Sequence, residues 1–414
     1  MGSIMNPVRN PFNGIEFMEN NKSVSNGVKI LVFSPFYPPH IGGLETHSDE
    51  FNKHLSRKGV DITVFTPQLP KEALGQEVRY NDVHITRYAA FEPIHNYPMP
   101  LFWRKAFWRE WRAINTPDPD IVISRTRFFF PSLMALWYAH RKHLPLLHIE
   151  HGSDFAQFNG YIKTTLGKLY DWTVGRFIFC HADSIVANSQ ASANFVHKLS
   201  KRKDVLVMYR GANFDAIEQC PPNEQVAKKY EGITIIAFIG RLIDGKGTHD
   251  LITAISELKR TDIVTLIIGG GPEEARLKKM VTENQLDNQV MFFGNLPFNE
   301  AIGILKTAHI VVNPSYTEGL PTSVTESALC RKAIIATNVG GTPEVISGNN
   351  DGFLLPPRQP KLIAEKLALL IEDRELRATF AQNAFERVKN KFDWDHSTSQ
   401  YLAVFSELLN NKRG

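Results

Sequence analysis

The chain has 414 residues, of which 43% are hydrophobic and 22% charged, and a net charge of +4. That length exceeds what one hydrophobic core usually holds, so the composition describes a soluble globular protein of two domains. The charge is too small to imply nucleic acid, no apolar run of ~18 residues is long enough to span a membrane, and Cys180, Cys220 and Cys330 stand in no metal-ligand or redox spacing, which predicts buried thiols in a reducing compartment.

Residues 1–26 are rich in Asn and Ser without an apolar core of signal-peptide length, and read as a flexible tail. Order is expected from Val28. Lys29–Phe33 reads as a strand, Ser34–Gly43 as a loop with three prolines, and Leu44–Lys58 as a helix with Leu44, Phe51 and Leu55 inward. Gly59 ends that helix and Asp61–Thr66 is the next strand, completing a βαβ unit. The pair Gly42-Gly43 sits where a backbone must come close to something. Either it serves the turn alone or it offers N–H groups at a helix start to a phosphate. Neither a G-x-G-x-x-G nor a P-loop pattern is present, which disfavours dinucleotide binding.

Further strands are expected at 83–88, 121–124 and 146–150. Between them, Leu101–Arg112 sets Trp103, Phe107, Trp108 and Trp111 on one side of a helix, with Lys105, Arg109 and Arg112 on another. Such a pattern suits a lipid interface, or a core helix with a solvated basic face. Arg125 and Arg127 follow a strand end, where two cations can hold an anionic acceptor or simply face solvent. His151 stands just past the strand 146–150 and before Gly152. Strands 184–189 and 204–209 complete the first domain, and Cys220–Glu224, with two prolines, reads as a linker between domains.

The second half restarts the same grammar. Ile233–Ile239 reads as a strand, Gly240–Gly247 as a glycine loop carrying Arg241 and Lys246, and Thr248–Lys259 as a helix. Strands are also expected at 265–271, 290–296, 309–313, 333–337 and 351–355. After the fourth of these, Gly340 and Gly341 offer further N–H groups at a helix start. The stretch Thr317–Glu326 places Glu318 on a loop at a strand's carboxyl end and Glu326 in a first helical turn, which Thr322 or Ser323 can cap. In open α/β sheets that edge is where ligands bind.

Glu318 and Glu326, separated by seven residues with Gly319 after the first, resemble the signature of retaining GT-B glycosyltransferases, most closely the large family 4. Gly42-Gly43, His151-Gly152, Gly240-Arg241-Leu242 with Lys246-Gly247, and Gly269–Pro272 stand in the family's order, so the resemblance runs from Val28 to about Leu409. It implies two Rossmann-like doubly wound domains facing across a cleft: an acceptor domain over 27–212, a donor domain over 213–394, and a last helix of about 395–414 that returns to the first. Arg210–Asn213 and the arginines at 125 and 127 depart from the family's pattern, which usually has Asn-Gly-aliphatic-Asp and histidines there.

What the resemblance implies chemically is transfer of a sugar from a nucleotide diphosphate donor, UDP-sugar favoured, to a lipid-linked or other glycan acceptor, with retention at the anomeric carbon. Glu326 would hold the ribose, Glu318 the donor sugar, and Arg241 and Lys246 the diphosphate. Gly42, Gly43, Asn295, Gly319 and Leu320 would complete the donor site, while His151 would contact the sugar or orient the acceptor. Arg125 and Arg127 would stand on the acceptor side. No cofactor and no metal are expected, since cations and N–H groups can carry the diphosphate charge. Asp118-Pro-Asp120 has a metal-motif spacing but leads into a first-domain strand. The expected place is the cytoplasm, at the membrane face where Leu101–Arg112 meets lipid. An epimerase, a phosphorylase and a sugar-nucleotide binder without catalysis are the other readings of the same clamp.

Overall fold

The computed structural model describes residues 27–413 apart from 41, 81, 95–96, 116–117 and 156–160. The tail expected over 1–26 lies outside the described residues. The chain divides into two units, 1–211 with 394–414, and 212–393.

In the first unit the strands are β1 (Lys29–Phe33), β2 (Asp61–Pro67), β3 (Gln76–Arg79), β4 (Val83–Tyr88), β5 (Ala90–Ile94), β6 (Tyr97–Pro100), β7 (Ile121–Arg125), β8 (Leu146–Glu150), β9 (Ser184–Ala187) and β10 (Val205–Val207). Among the described residues they build an eight-stranded sheet in the order β10-β9-β8-β7-β1-β2-β4-β3, with β5 and β6 a separate pair. All neighbours in the large sheet are parallel except β3, which runs antiparallel to β4. Residues such as Ile121–Ile123 and Leu146–Ile149 are buried throughout because parallel strands are covered on both faces. Helix α1 (Gly43–Ser56) covers one face, together with the terminal helix (Trp394–Arg413), whose Tyr401, Val404 and Phe405 pack on Ile30, Val32 and Val64. Helices α2 (Lys105–Ala113), α3 (Phe130–Lys142), α4 (Tyr161–Tyr170), α5 (Arg176–His181) and α6 (Gln190–Ser200) follow in the chain. Of these, α2, α3, α5 and α6 share a second core with Leu31, Phe33 and Val122.

The segment Leu101–Arg112 buries some of its aromatic side chains and exposes others. Phe107 is 1% exposed and Trp111 packs on Phe33 and Tyr138, whereas Trp103 and Trp108 are 71% and 44% exposed.

The second unit opens with α7 (Phe214–Gln219) and α8 (Glu224–Lys229). Cys220–Glu224 therefore lies within this unit and not between the two, with Cys220 buried and Pro221, Pro222 and Glu224 exposed. Its ends are tied down by Cys220 Sγ to the Asn299 carbonyl at 3.0 Å and the Asn223 N–H to the Gly303 carbonyl at 2.9 Å. There follow β11 (Thr234–Ile239), α9 (Thr248–Leu258), β12 (Ile263–Ile268), α10 (Glu274–Glu283), β13 (Val290–Gly294), α11 (Phe298–Thr307), β14 (Ile310–Asn313), α12 (Thr322–Leu329), β15 (Ala333–Thr337), α13 (Thr342–Val345), β16 (Phe353–Leu355), α14 (Pro360–Glu372) and α15 (Arg374–Lys391), and the terminal helix of the first unit is α16. The sheet order is β13-β12-β11-β14-β15-β16, all parallel. Cys220 and Cys330 are buried, but Cys180, on the outer side of α5, is exposed, against the expectation for all three thiols.

Candidate functional site

Each of the two large sheets has a place where the strand order reverses. In the second unit the chain runs outward through β11, β12 and β13, then returns to β14 on the other side of β11. The loops leaving β11 and β14 therefore diverge to opposite sides and leave a crevice at the strands' carboxyl ends, the general ligand position of open α/β sheets. Lys246 and Glu318, 72 residues apart, sit on those two loops. Lys246 Nζ donates to Glu318 Oε1 at 2.6 Å, and the Glu318 side chain is 8% exposed.

Glycines make the close approach possible. Gly247 lies at φ +64°, and a Cβ there would stand 2.2 Å from the Pro314 carbonyl oxygen. A second strut is the Tyr316 N–H, which donates to the Gly245 carbonyl at 2.8 Å. The Tyr316 hydroxyl reaches Asp250 at 2.9 Å and His249 at 2.7 Å, while Arg358 stacks 3.8 Å over its ring. Burial, with Asp250 beside it, holds the Tyr316 hydroxyl protonated well above its ordinary range. Arg241 is exposed on the same β11 loop. Asn295, at the end of β13, accepts from the Gly270 N–H at 2.8 Å and so fixes the neighbouring glycine turn.

Two local expectations are corrected. Helix α12 starts at Thr322 after Pro321 with no side-chain cap, because Ser323 Oγ accepts from Asn313 Nδ2 at 2.8 Å instead, and Glu326 lies one turn into the helix. The Gly341 N–H is not open to a ligand; it donates to the Gly319 carbonyl at 2.9 Å and thereby ties the Glu318–Leu320 loop to α13.

In the first unit the order reverses between β1 and β7. The loop after β1 ends at Gly42, where a Cβ would meet the Glu45 carboxylate at 2.4 Å. Glu45 also pairs with His40 at 2.5 Å, so the first anion at this helix start is the chain's own side chain. Beyond β7 and β8, two arginines that look alike in sequence separate. Arg127 donates to Glu150 Oε1 at 3.0 Å and to both oxygens of Asp171 at 2.9 and 3.0 Å, all with side chains at most 3% exposed. Glu150 further accepts from the N–H groups of His151 and Gly152, and from His148. Burial alone would raise the Glu150 pKa, but Arg127, His148 and the Gly152 N–H hold it down to about 2.

Arg125 is paired with no carboxylate among the described residues. It is fully buried over the face of Phe51, with Nη1 3.4 Å from His47 Nδ1. His151 Nε2 also approaches His47 Nδ1, at 3.2 Å, and Thr126 Oγ1 lies 3.3 Å from His151 Nδ1. A guanidinium only donates, so His47 Nδ1 is an acceptor, His151 Nε2 carries the proton it gives to that atom, and His151 Nδ1 accepts from Thr126. Burial and then Arg125 hold the His151 pKa down to about 3, and burial, then His151 and Arg125, lowers that of His47 well below the usual imidazole range, so both are neutral. Burial lowers Arg125 itself to about 10. His47 was not singled out from the sequence, although its position two residues after Glu45, one turn into the helix that follows Gly42-Gly43, was a visible signal.

The two Asp118-Pro-Asp120 carboxylates are occupied locally: Asp120 accepts from the Lys29 N–H at 2.9 Å and Asp118 pairs with Lys142 at 3.6 Å. Among the described residues no group of three or more His, Cys, Asp or Glu side chains is placed to hold a metal ion.

Comparison with known proteins agrees with this architecture. Residues 221–387 match the glycosyl transferases group 1 model and residues 41–216 the Glycosyltransferase Family 4 model. An uncharacterized glycosyltransferase of Methanocaldococcus jannaschii is 37% identical over 391 residues, covering 92% of this chain and 99% of that protein. Among solved structures, sucrose-phosphate synthase from Thermosynechococcus elongatus superposes with a TM-score of 0.78 at 18% identity, over 93% of this chain and 100% of that one. Anabaena HepE in complex with UDP-glucose gives 0.73 at 19% identity, over 92% and 99%. The chain thus belongs to the group 1 glycosyltransferases of GT-B fold.

Proposed function

We propose that the protein transfers a hexose, with retention, from a nucleotide diphosphate sugar to a lipid-linked or other glycan acceptor. The observation that carries this is the Lys246–Glu318 pair at the switch point of the second sheet, with Arg241 exposed on the same loop as the lysine. In this reading Lys246 and Arg241 take the donor diphosphate, whose charge grows as the glycosidic bond breaks. Glu318, relieved of Lys246 by the phosphate, takes hydroxyls of the donor sugar. Glu326 holds the ribose, with Gly319, Leu320 and Asn295 framing the nucleotide. The UDP-glucose held by Anabaena HepE supports a uridine donor.

Retention without a carboxylate nucleophile fits a same-face return. The bond from the anomeric carbon to the phosphate oxygen breaks, the acceptor oxygen bonds to that carbon, and the acceptor's proton passes to the departing phosphate oxygen. On the first unit, His151 orients the acceptor as a neutral residue, with Arg125 acting through His47. Gly42 and Gly43 border the same strand ends. Arg241 and Lys246 make a metal unnecessary in this reading, and Trp103 and Trp108 bring the first unit to a membrane's cytoplasmic face.

A panel of UDP- and GDP-sugars, read by thermal shift and by sugar release with and without EDTA, tests it. One donor should stabilise the protein equally in both conditions, and Lys246→Ala and Glu326→Ala should abolish the shift and the transfer. Full transfer by both variants refutes the assignment.

A further inference from the structure

Exposed apolar side chains are not spread evenly over this chain. Among the described residues, eight large ones lie between Trp103 and Phe177, whereas Leu369 is the only one in the second unit. Five of the eight fall on one helical rod, in which α4 runs through a π-helical turn (Asp171–Gly175) into α5 with helical backbone angles at both joins. Ile162, Leu166, Leu169, Trp172 and Phe177 are 74%, 60%, 58%, 44% and 50% exposed. Steps of four, three and three keep the first four on one side of an α-helix. The π turn, which bonds i to i+5, keeps Phe177, five residues after Trp172, on the same side.

The exposed lysines and arginines on the rod and on α2 are not matched by exposed acids on the same helices. Lys163, Lys168 and Arg176 are exposed on the rod, whose acid, Asp171, is buried against Arg127. On α2, Arg104, Lys105 and Arg109 are exposed while Glu110 is 7% exposed and bound to Arg109 and Gln76. The sequence of α3 contains no acid. Beside the rod, α2, α3 and α5 line an open cavity of about 1130 Å³ whose walls include Trp108, Trp111, Trp137 and Phe177, with Lys412 and Asp183 also in its lining. That exceeds the ~300–1,000 Å³ of ordinary small-molecule sites.

We propose that this face of the first unit docks on an anionic lipid bilayer, the Ile162–Phe177 stripe entering the boundary between headgroups and chains and the cavity receiving a hydrocarbon chain. Aromatic and aliphatic side chains edged by cations, with every acid on these helices buried, match a surface that is apolar beneath and negative above. A second copy of the chain fits poorly, because it would bring the same cations against them. The proposal rests on the lipid-linked acceptor reading, and it moves the main lipid contact from Leu101–Arg112 to the α4–α5 rod.

The full-length protein is sedimented with vesicles of phosphatidylcholine, with and without phosphatidylglycerol, and its tryptophan emission is read against vesicles brominated on the acyl chains. Binding should require phosphatidylglycerol. Leu166→Glu with Leu169→Glu should lower the bound fraction ~10-fold or more while leaving the donor-induced thermal shift unchanged. In Trp103→Phe with Trp172→Phe, bromine should still quench the indoles that line the cavity. Equal binding by the double glutamate variant, binding to neutral vesicles alike, or a dimer that this variant splits would overturn the surface assignment; lost quenching in the phenylalanine variant would overturn the cavity's role. A protein that binds vesicles as described yet shows no shift with any donor refutes the transferase reading and leaves the lipid surface standing.

Discussion

Replacing Arg127 by Met removes the one cation that serves two buried carboxylates. Glu150 has its pKa moved from 4.5 to about 2, which corresponds to ~3 kcal/mol of stabilisation at neutral pH. Because the folded value lies below the unfolded one, that contribution is fully present above the unfolded pKa of ~4.3 and is lost as the pH falls toward 2. Without Arg127, both Glu150 and Asp171 would be left as buried charges, at a cost of ~3–5 kcal/mol. All six tryptophans, at 103, 108, 111, 137, 172 and 394, belong to the first unit, so urea unfolding followed by tryptophan emission reports on that unit. Arg127→Met should lose several kcal/mol at pH 7. The pH dependence should also flatten: with the cation gone, His148 and the Gly152 N–H are left to oppose burial, so the Glu150 pKa rises toward its unfolded value and acid weakens the variant less than the wild type. A loss below ~1 kcal/mol, or a variant that weakens with acid as much as the wild type does, would refute the reasoning.

Gly211→Ala should lower the same tryptophan-detected midpoint by ~1–3 kcal/mol, since its Cβ would stand 2.2 Å from Trp394 Cγ at the start of α16. In the second unit, Gly247→Ala combines a φ of +64° with the clash against the Pro314 carbonyl. Calorimetry should show its transition lowered by at least ~1–2 kcal/mol, and donor binding should weaken with it. The tautomers of the histidine pair are open to ¹⁵N–¹H NMR: His47 and His151 should both carry the proton on Nε2 and stay neutral at pH 6, and Arg125→Met should leave His151 as the donor to His47 Nδ1 and shift that nitrogen's resonance. His47→Phe should lower transfer more than it lowers donor binding, because it acts on the first unit; a purely donor-binding defect would argue against that placement.

Fold class was legible because parallel strands buried on both faces are short unbroken apolar runs, and glycine or proline marks their ends. Ala333–Thr337 reads off its residues without help from the rest of the chain. Antiparallel β3, and β5 with β6, were not legible: they are four or five residues long, and prolines at 93, 98 and 100 argue against strands in sequence. Ser323 illustrates the limit of local rules, since its spacing to Glu326 suits a capping box and yet Asn313 claims its hydroxyl.

By itself, then, the sequence determined the alternation of strand and helix and nominated the chemistry-bearing loops, including Lys246 and Glu318. Only the tertiary structure decided which loops meet. Arg125 and Arg127 are alike in sequence, but the order β8-β7-β1 puts Glu150 and Asp171 around one and His47 beside the other. The reason is physical: periodicity is a local property carried by neighbours in the chain, whereas the pairing of charges across 72 or 78 residues depends on strand order, and strand order is set by how the whole sheet buries its two faces.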